Sequence, residues 1–300
     1  MRLTVVFLLL VSAGEALQSH EILRNMNSLA DKKLAVIGAG KMGETLISAI
    51  LKSGLTDGQH ITATAGTPER RAYLEKKYGI RVEERNADAA HKADLVLLCI
   101  KPQMYKTIVG ELDPVLKPSQ LLISIMAGVT SAAVEKHLTG RIPVVRAMPN
   151  MPSLVGEGMT AICGGSHATA GHLSLTQSIF DRLGKSIILA EKHFDAVTSL
   201  SASGPAFIYI IIEALAEGGV KTGLPRDVAT LLAAQSCYGA AKMVLETGEH
   251  PAVLKDMVTT PAGCTIDGIL KLEEGGLRVT LIKTIVEAAR RSGELVENGG

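Results

Sequence analysis

Residues 33–43 read KLAVIGAGKMG. Leu34, Ala35, Val36 and Ile37 form a short apolar run suited to a strand buried on both faces. The run stops at Gly38, and Gly38, Gly40 and Gly43 then stand in the G-x-G-x-x-G spacing. Met42, Leu46, Ile47 and Ile50 follow at helical spacing, so the glycines sit on a strand-to-helix turn. In that context each glycine has a task. Gly38 permits the tight turn, Gly40 lets the backbone approach a pyrophosphate, and Gly43 lets the helix pack closely on its strand. The first helical N–H groups then face the phosphate. The whole turn, Gly38, Ala39, Gly40, Lys41, Met42 and Gly43, is the expected diphosphate seat of a dinucleotide. The alternative is a glycine-rich turn in an ordinary βα unit.

The rest of the composition narrows the class. A chain of 300 residues is long enough for two domains, and 47% hydrophobic against 20% charged residues supplies substantial cores. The formal net charge is +1 without a basic block, so no nucleic-acid partner is expected. Trp is absent and aromatics are 3%, which argues against stacking platforms for bases or sugars. Cys99, Cys163, Cys237 and Cys264 form no C-x-x-C pair, and three of them fall in apolar stretches. Buried, reduced thiols of a cytoplasmic protein are expected. The eight histidines are scattered, His167 and His172 lack partner spacing, and no metal site is expected.

Residues 1–32 stand apart. Thr4 to Val11 is almost wholly apolar, Arg2 precedes it, and Ser12, Ala13, Gly14 and Ala16 follow. That pattern is signal-like and too short to span a bilayer. Two readings stay open: a targeting segment, or an extension ahead of a natural start at Met26.

Beyond the first helix, a second strand is expected over His60 to Ala65. NAD-preferring sites carry an acidic residue at its end, on the ribose 2′-hydroxyl. Here the end reads Thr64, Ala65, Gly66, Thr67, followed by Arg70 and Arg71. Small donors and arginines suit a 2′-phosphate, so NADPH is the expected cofactor and NADH the alternative. The competing reading makes the arginines a solvated helix face among Glu69, Glu75, Lys76 and Lys77. Ala93 to Ile100 is a further doubly buried strand ending at Lys101-Pro102. Strand ends line the ligand crevice of such sheets, so Asn86, Ile100, Lys101 and Pro102 are candidates for the adenosine and ribose side. Leu121 to Ala127 ends at Ala127-Gly128, on the same edge. Ile142 to Ala147, Met159 to Cys163 and Ser186 to Ala190 continue the series. Residues 33–191 therefore read as one dinucleotide-binding α/β domain, a doubly wound sheet of Rossmann type.

Residues 192–300 read as helices only. Ser199 to Ala206 (SLSASGPA) is expected to be a small-residue turn with Pro205 in the first turn of a helix. That helix, Ala206 to Val220, is apolar almost all round, and a second follows over Arg226 to Glu246. Two such helices in a small domain suggest a homodimer; packing within the chain is the alternative. Thr259 to Thr265 (TTPAGCT) is a polar loop leading into another helix. It reads either as an anion site of hydroxyls and helix N–H groups or as a plain N-cap at Thr265.

These motifs together resemble the pyrroline-5-carboxylate reductase family. The resemblance runs from about Lys33 to the C-terminus. It rests on the glycine turn, Ile100-Lys101-Pro102, Ala127-Gly128-Val129-Thr130, Met148-Pro149-Asn150, SASGPAF, GGVKTGLPR (Gly218 to Arg226) and VTTPAGCT. It implies an NADPH-dependent reduction of 1-pyrroline-5-carboxylate to L-proline by a cytoplasmic homodimer, whose dimers can assemble further into a ring. It also implies no membrane partner, and a substrate lying between one chain's nicotinamide and the other chain's VTTPAGCT loop. By resemblance, Thr265 is the catalytic residue and hydrogen-bonds the ring nitrogen. Thr260 and the Gly263, Cys264 and Thr265 amides hold the carboxylate. Many relatives have Ser-Ser-Pro-Gly-Gly-Ala-Thr here, so Thr259, Thr260, Ala262 and Cys264 are departures, as is Met257 where an asparagine can occur. Two rival readings differ in class. A β-hydroxyacid dehydrogenase needs a lysine as proton carrier, and the first turns after Ser203-Gly204-Pro205 contain none before Lys221. A non-catalytic NADPH sensor would not need the VTTPAGCT loop.

Overall fold

The computed structural model describes Leu29 and residues 31–298. The signal-like stretch of the N-terminal extension lies outside the described residues. Leu29, on the extension's side of Lys33, is buried in the same apolar cluster as the first strand.

Eight strands form one sheet: β1 (Leu34–Ile37), β2 (Ile61–Thr64), β3 (Arg81–Glu83), β4 (Leu95–Leu98), β5 (Leu121–Ser124), β6 (Val144–Met148), β7 (Gly158–Gly164) and β8 (Gly184–Ile188). Their order is β3-β2-β1-β4-β5-β6-β7-β8. Every neighbouring pair is parallel except β6 with β7. β1, β4, β5 and β6 are buried along their whole length, and β1 and β4 accordingly read as unbroken apolar runs. The chain leaves β1 toward β2 on one side and returns to β4 on the other. That reversal opens a crevice at the carboxyl ends of β1 and β4.

Helices cover both faces: α1 (Lys41–Lys52), α2 (Pro68–Tyr78), α3 (Asn86–Ala90), α4 (Tyr105–Leu112), α5 (Ser131–Glu135), α6 (Ala170–Phe180) and α7 (Phe194–Val197). Two apolar clusters result. One joins Val36 and Ile61 to Leu46, Ile47 and Ile50 of α1, and the other joins Ile37 and Leu98 to Ile108 and Leu112 of α4. Alternate residues of β1 thus serve opposite faces. An ion pair lies against β6: the buried Arg146, 3% exposed, meets the partly exposed Glu191 at 3.1 Å and lies 4.6 Å from the Phe194 ring. Glu191 also accepts from the Ser131 amide and hydroxyl, both at 2.7 Å.

The remaining helices are α8 (Gly204–Lys221), α9 (Arg226–Thr247), α10 (Pro251–Met257), α11 (Cys264–Glu274) and α12 (Leu277–Asn298). The described residues up to Thr198, with those from Arg291 on, form one compact unit, and Ser199–Arg290 a second. In the second unit α8 and α9 pack closely. A Cβ on Gly219 would lie 3.0 Å from that of Ala229.

Three expectations need correction. Arg81–Glu83 is a strand that sequence reading passed over, because its three residues carry one apolar side chain, Val82. The small-residue stretch expected as a turn is helical over Thr198–Ala202, in π geometry. Ser199 there is fully buried, so its small size serves packing rather than chain reversal. Cys163 is buried and the Cys99 thiol is desolvated as expected, whereas Cys237 is half-buried and Cys264 is exposed; none of the four is in a disulfide. Burial pushes the Cys163 thiol up to about 12, which keeps it protonated and inert.

Candidate functional site

The glycine turn between β1 and α1 separates what the fold requires from what it leaves open. Gly38 has φ 88°, and a Cβ there would lie 2.8 Å from Ile100 Cγ2. A Cβ on Gly43 would lie 2.5 Å from the Gly38 carbonyl oxygen, so this glycine sets the helix-to-strand approach. Gly40 is different: a Cβ there would meet no protein atom within 4 Å. Folding leaves the space beside it open, as a diphosphate lying on the turn requires. The first-turn amides Lys41, Met42 and Gly43 have no helical acceptor and supply donors for that anion. The residues present therefore fit the diphosphate of NADPH.

Other expected cofactor residues gather around this turn. Thr64, at the end of β2, accepts from the Gly38 amide at 3.0 Å and donates to Asn86 Oδ1 at 2.8 Å. The Asn86 side-chain amide in turn donates to Glu111 at 2.9 Å. Thr64 is 3% exposed, so its hydroxyl braces the turn rather than reaching a ligand. Thr67 caps α2 by accepting from the Arg70 amide, and Gly66 before it is exposed. Neither arginine lies on a plain solvated face. Arg70 Nε and Nη2 donate to the Ala39 carbonyl at 3.1 and 3.0 Å, and Nη2 also reaches the Gly40 carbonyl and Glu44. Arg71 donates to the Ala65 carbonyl at 3.0 Å and pairs with Glu84. Ile100, Lys101 and Pro102 follow β4, with Lys101 exposed, and Ala127 and Gly128 follow β5, Gly128 at φ 72°. All of these residues lie in the first unit, at carboxyl ends of strands or beside them.

The VTTPAGCT stretch lies in the second unit and has its own geometry. Thr259 donates to the Lys255 carbonyl at 2.8 Å and so closes α10. Ala262 takes φ 58°, the left-handed region that glycine favours. The Gly263 amide donates to the Thr260 carbonyl at 3.1 Å, so it is engaged within the loop rather than free for a ligand. Gly263 itself is the N-cap of α11, and Thr265 is the second residue of that helix. The N-cap reading of Thr265 is therefore wrong: the cap position is filled two residues earlier, without a side-chain bond. The Cys264 and Thr265 amides stand at the helix start, where no intrahelical acceptor exists. The Thr260 and Thr265 hydroxyls have no protein partner among the described residues. Lys221, the nearest candidate for a dehydrogenase's proton carrier, sits in the last turn of α8.

Sequence reading missed Glu44. It lies in the first turn of α1 and accepts from Lys77 at 2.9 Å, Tyr78 at 2.8 Å and Tyr73 at 3.0 Å, besides Arg70. Burial alone would raise its pKa, but the bonds from Lys77, Tyr78, Arg70 and Tyr73 together hold it down at about 2. The signal was present in the spacing of Arg70, Tyr73 and Lys77, which puts all three on one face of α2.

Comparison with known proteins agrees with both halves. Residues 33–128 match the coenzyme F420-dependent NADP oxidoreductase family, and residues 191–295 match the pyrroline-5-carboxylate reductase dimerisation family. A pyrroline-5-carboxylate reductase of Glycine max is 43% identical over 263 residues, 87% of this chain and 95% of that protein. One from Methanosarcina acetivorans is 42% identical over 267 residues, 89% of this chain and 99% of that protein. Among solved structures, the Plasmodium falciparum pyrroline carboxylate reductase with NADP bound matches with a TM-score of 0.82 at 27% identity. It covers 90% of this chain and 100% of that one.

Proposed function

The chain belongs to the pyrroline-5-carboxylate reductase family, and we propose that its residues reduce 1-pyrroline-5-carboxylate to L-proline, the last step of proline biosynthesis. The observation that carries the reading is the pairing, in one chain, of a turn fitted to a diphosphate with a hydroxyl-bearing loop at the start of α11. NADPH, when bound, supplies the hydride. A protonated cyclic imine is already a good hydride acceptor, so the protein's work is chiefly binding and orientation. No strong acid or covalent nucleophile is required, which suits a loop of threonine and backbone.

The residues divide as follows. The turn from Gly38 to Gly43 seats the diphosphate, with Thr64 and Asn86 bracing it. Gly66, Thr67 and Arg70 lie toward the 2′-phosphate, Ile100, Lys101 and Pro102 toward the adenosine side, and Ala127 and Gly128 along the same edge. The Cys264 and Thr265 amides and the Thr260 hydroxyl hold the substrate carboxylate. The Thr265 hydroxyl meets the ring nitrogen. We take residues 33–191 as the nucleotide domain and 192–300 as the dimerisation and substrate domain, with the homodimer's second copy presenting the loop. The cytoplasm, where the cofactor is supplied, is the proposed location.

Two measurements on one substitution test this. Thr265→Ala removes a hydrogen bond to a charged group, about 1.5–3 kcal/mol, so kcat/KM for 1-pyrroline-5-carboxylate falls roughly ten- to a hundredfold. The melting temperature stays within a degree or two, because the residue is not the cap. An unchanged kcat/KM would remove Thr265 from the site. A parent chain that fails to oxidise NADPH with this substrate, yet reduces NADP⁺ with a 3-hydroxyacid, would replace the reading altogether.

A further inference from the structure

NADPH differs from NADH only by the phosphate on the 2′-position of the adenosine ribose. In a sheet of this order, that ribose lies over the end of β2. No carboxylate stands there, since the chain reads Thr64, Ala65, Gly66, Thr67. A carboxylate nevertheless reaches the same neighbourhood from a different element. Glu44 projects from the first turn of α1 onto Arg70, the guanidinium that also grips the Ala39 and Gly40 carbonyls of the glycine turn.

Arg70 is thereby committed in three directions. Its Nε and Nη2 hold the turn, its face lies 5.1 Å from the Tyr73 ring centroid, and its charge is paired with Glu44. Lys77 stands over the same Tyr73 ring at 5.0 Å and donates to the other Glu44 oxygen. The two cations and one anion leave this patch a single net positive charge. Arg71, the other candidate cation, is tied to the Ala65 carbonyl and to Glu84. Glu44 has an 18% exposed side chain with four donors on it, so it stays ionised and stays in place.

We propose that Glu44 is a specificity-determining residue that limits the preference for NADPH over NADH, by holding Arg70 and by opposing the 2′-phosphate. This rests on the reading above that the turn seats a nicotinamide dinucleotide. NADH, which lacks that phosphate, meets no such opposition. Removing the charge at Glu44 leaves Arg70 oriented by the turn carbonyls and the Tyr73 ring, and raises the patch to two net positive charges.

The test is direct binding of each reduced nucleotide, followed by its fluorescence, to the full chain and to two variants. In Glu44→Gln, the ratio of the NADH to the NADPH dissociation constant rises roughly three- to thirtyfold, with the NADH constant nearly unchanged. In Tyr73→Phe, which takes one donor from Glu44 and keeps the charge, the ratio stays near that of the parent. The gain in Glu44→Gln shrinks as salt is raised. A ratio in Glu44→Gln that is unchanged or lowered overturns the proposal, as does equal weakening of both nucleotides, which would make Glu44 a strut for the turn. Failure of the parent chain to bind either nucleotide would overturn the underlying reading as well.

Discussion

The two units of this chain bury their apolar residues to very different degrees. In the sheet unit, β1, β4, β5 and β6 are buried throughout, and Leu46, Ile47 and Ile50 of α1 are at most 1% exposed. Among the described residues of Ser199–Arg290, the buried apolar side chains are Ala216, Ala229 and Ala233. The large ones lie open: Leu231 is 67% exposed, Ile210 64% and Leu245 63%. Helices of such length and composition would pass for membrane spans on hydropathy alone. The dimerisation match over residues 191–295 supplies another cover, a second copy of the same helices. One unit is a finished core, and the other is half of one.

That contrast can be broken most forcefully on α9. Leu231→Glu places a charge where the partner's apolar surface should lie, so it abolishes the dimer and lowers turnover at least a hundredfold. Light scattering and an NADPH oxidation assay on the same sample check this, and a dimer of normal activity would refute it. A milder pair of changes sharpens the point. Leu46→Ala in the sheet core costs about 2–5 kcal/mol whatever the protein concentration. Leu231→Ala instead lowers a melting temperature that itself depends on concentration. If both costs prove independent of concentration, the helical unit is complete by itself.

The smallest effect is expected at Ala262, which occupies a left-handed backbone position without being glycine. Ala262→Gly relieves local strain while adding freedom to the unfolded chain, so stability changes by less than about 1 kcal/mol. The looser loop raises KM for the carboxylate substrate and leaves that for NADPH unchanged. Equal changes in both constants would separate the loop from substrate binding.

The sheet unit was the more legible of the two in sequence, for physical reasons. A strand buried on both faces writes itself as an unbroken apolar run, and a change from strand to helical period brackets the glycine turn. β3 escaped because Arg81–Glu83 offers one apolar residue, and the antiparallel turn-back at β7 leaves no mark on periodicity. Glu44 escaped because an acidic residue in a first helical turn ordinarily answers the helix dipole. Its partners arrive from α2, 26 to 34 residues later, by tertiary packing alone. In the helical unit the reverse held. Its apolar helices were plain in sequence, whereas composition alone did not say what covers them. Thr265 was legible as a polar residue near a helix start, but only the position of Gly263 as N-cap frees it from a capping role.

Size-resolved activity tests most directly the claim that the helical unit is completed by a second copy. Fractions from a sizing column, with mass read by light scattering, are assayed for NADPH oxidation with 1-pyrroline-5-carboxylate. All turnover is predicted in fractions whose mass is at least twice that of one chain. Full turnover per chain in a fraction with the mass of a single chain would contradict it.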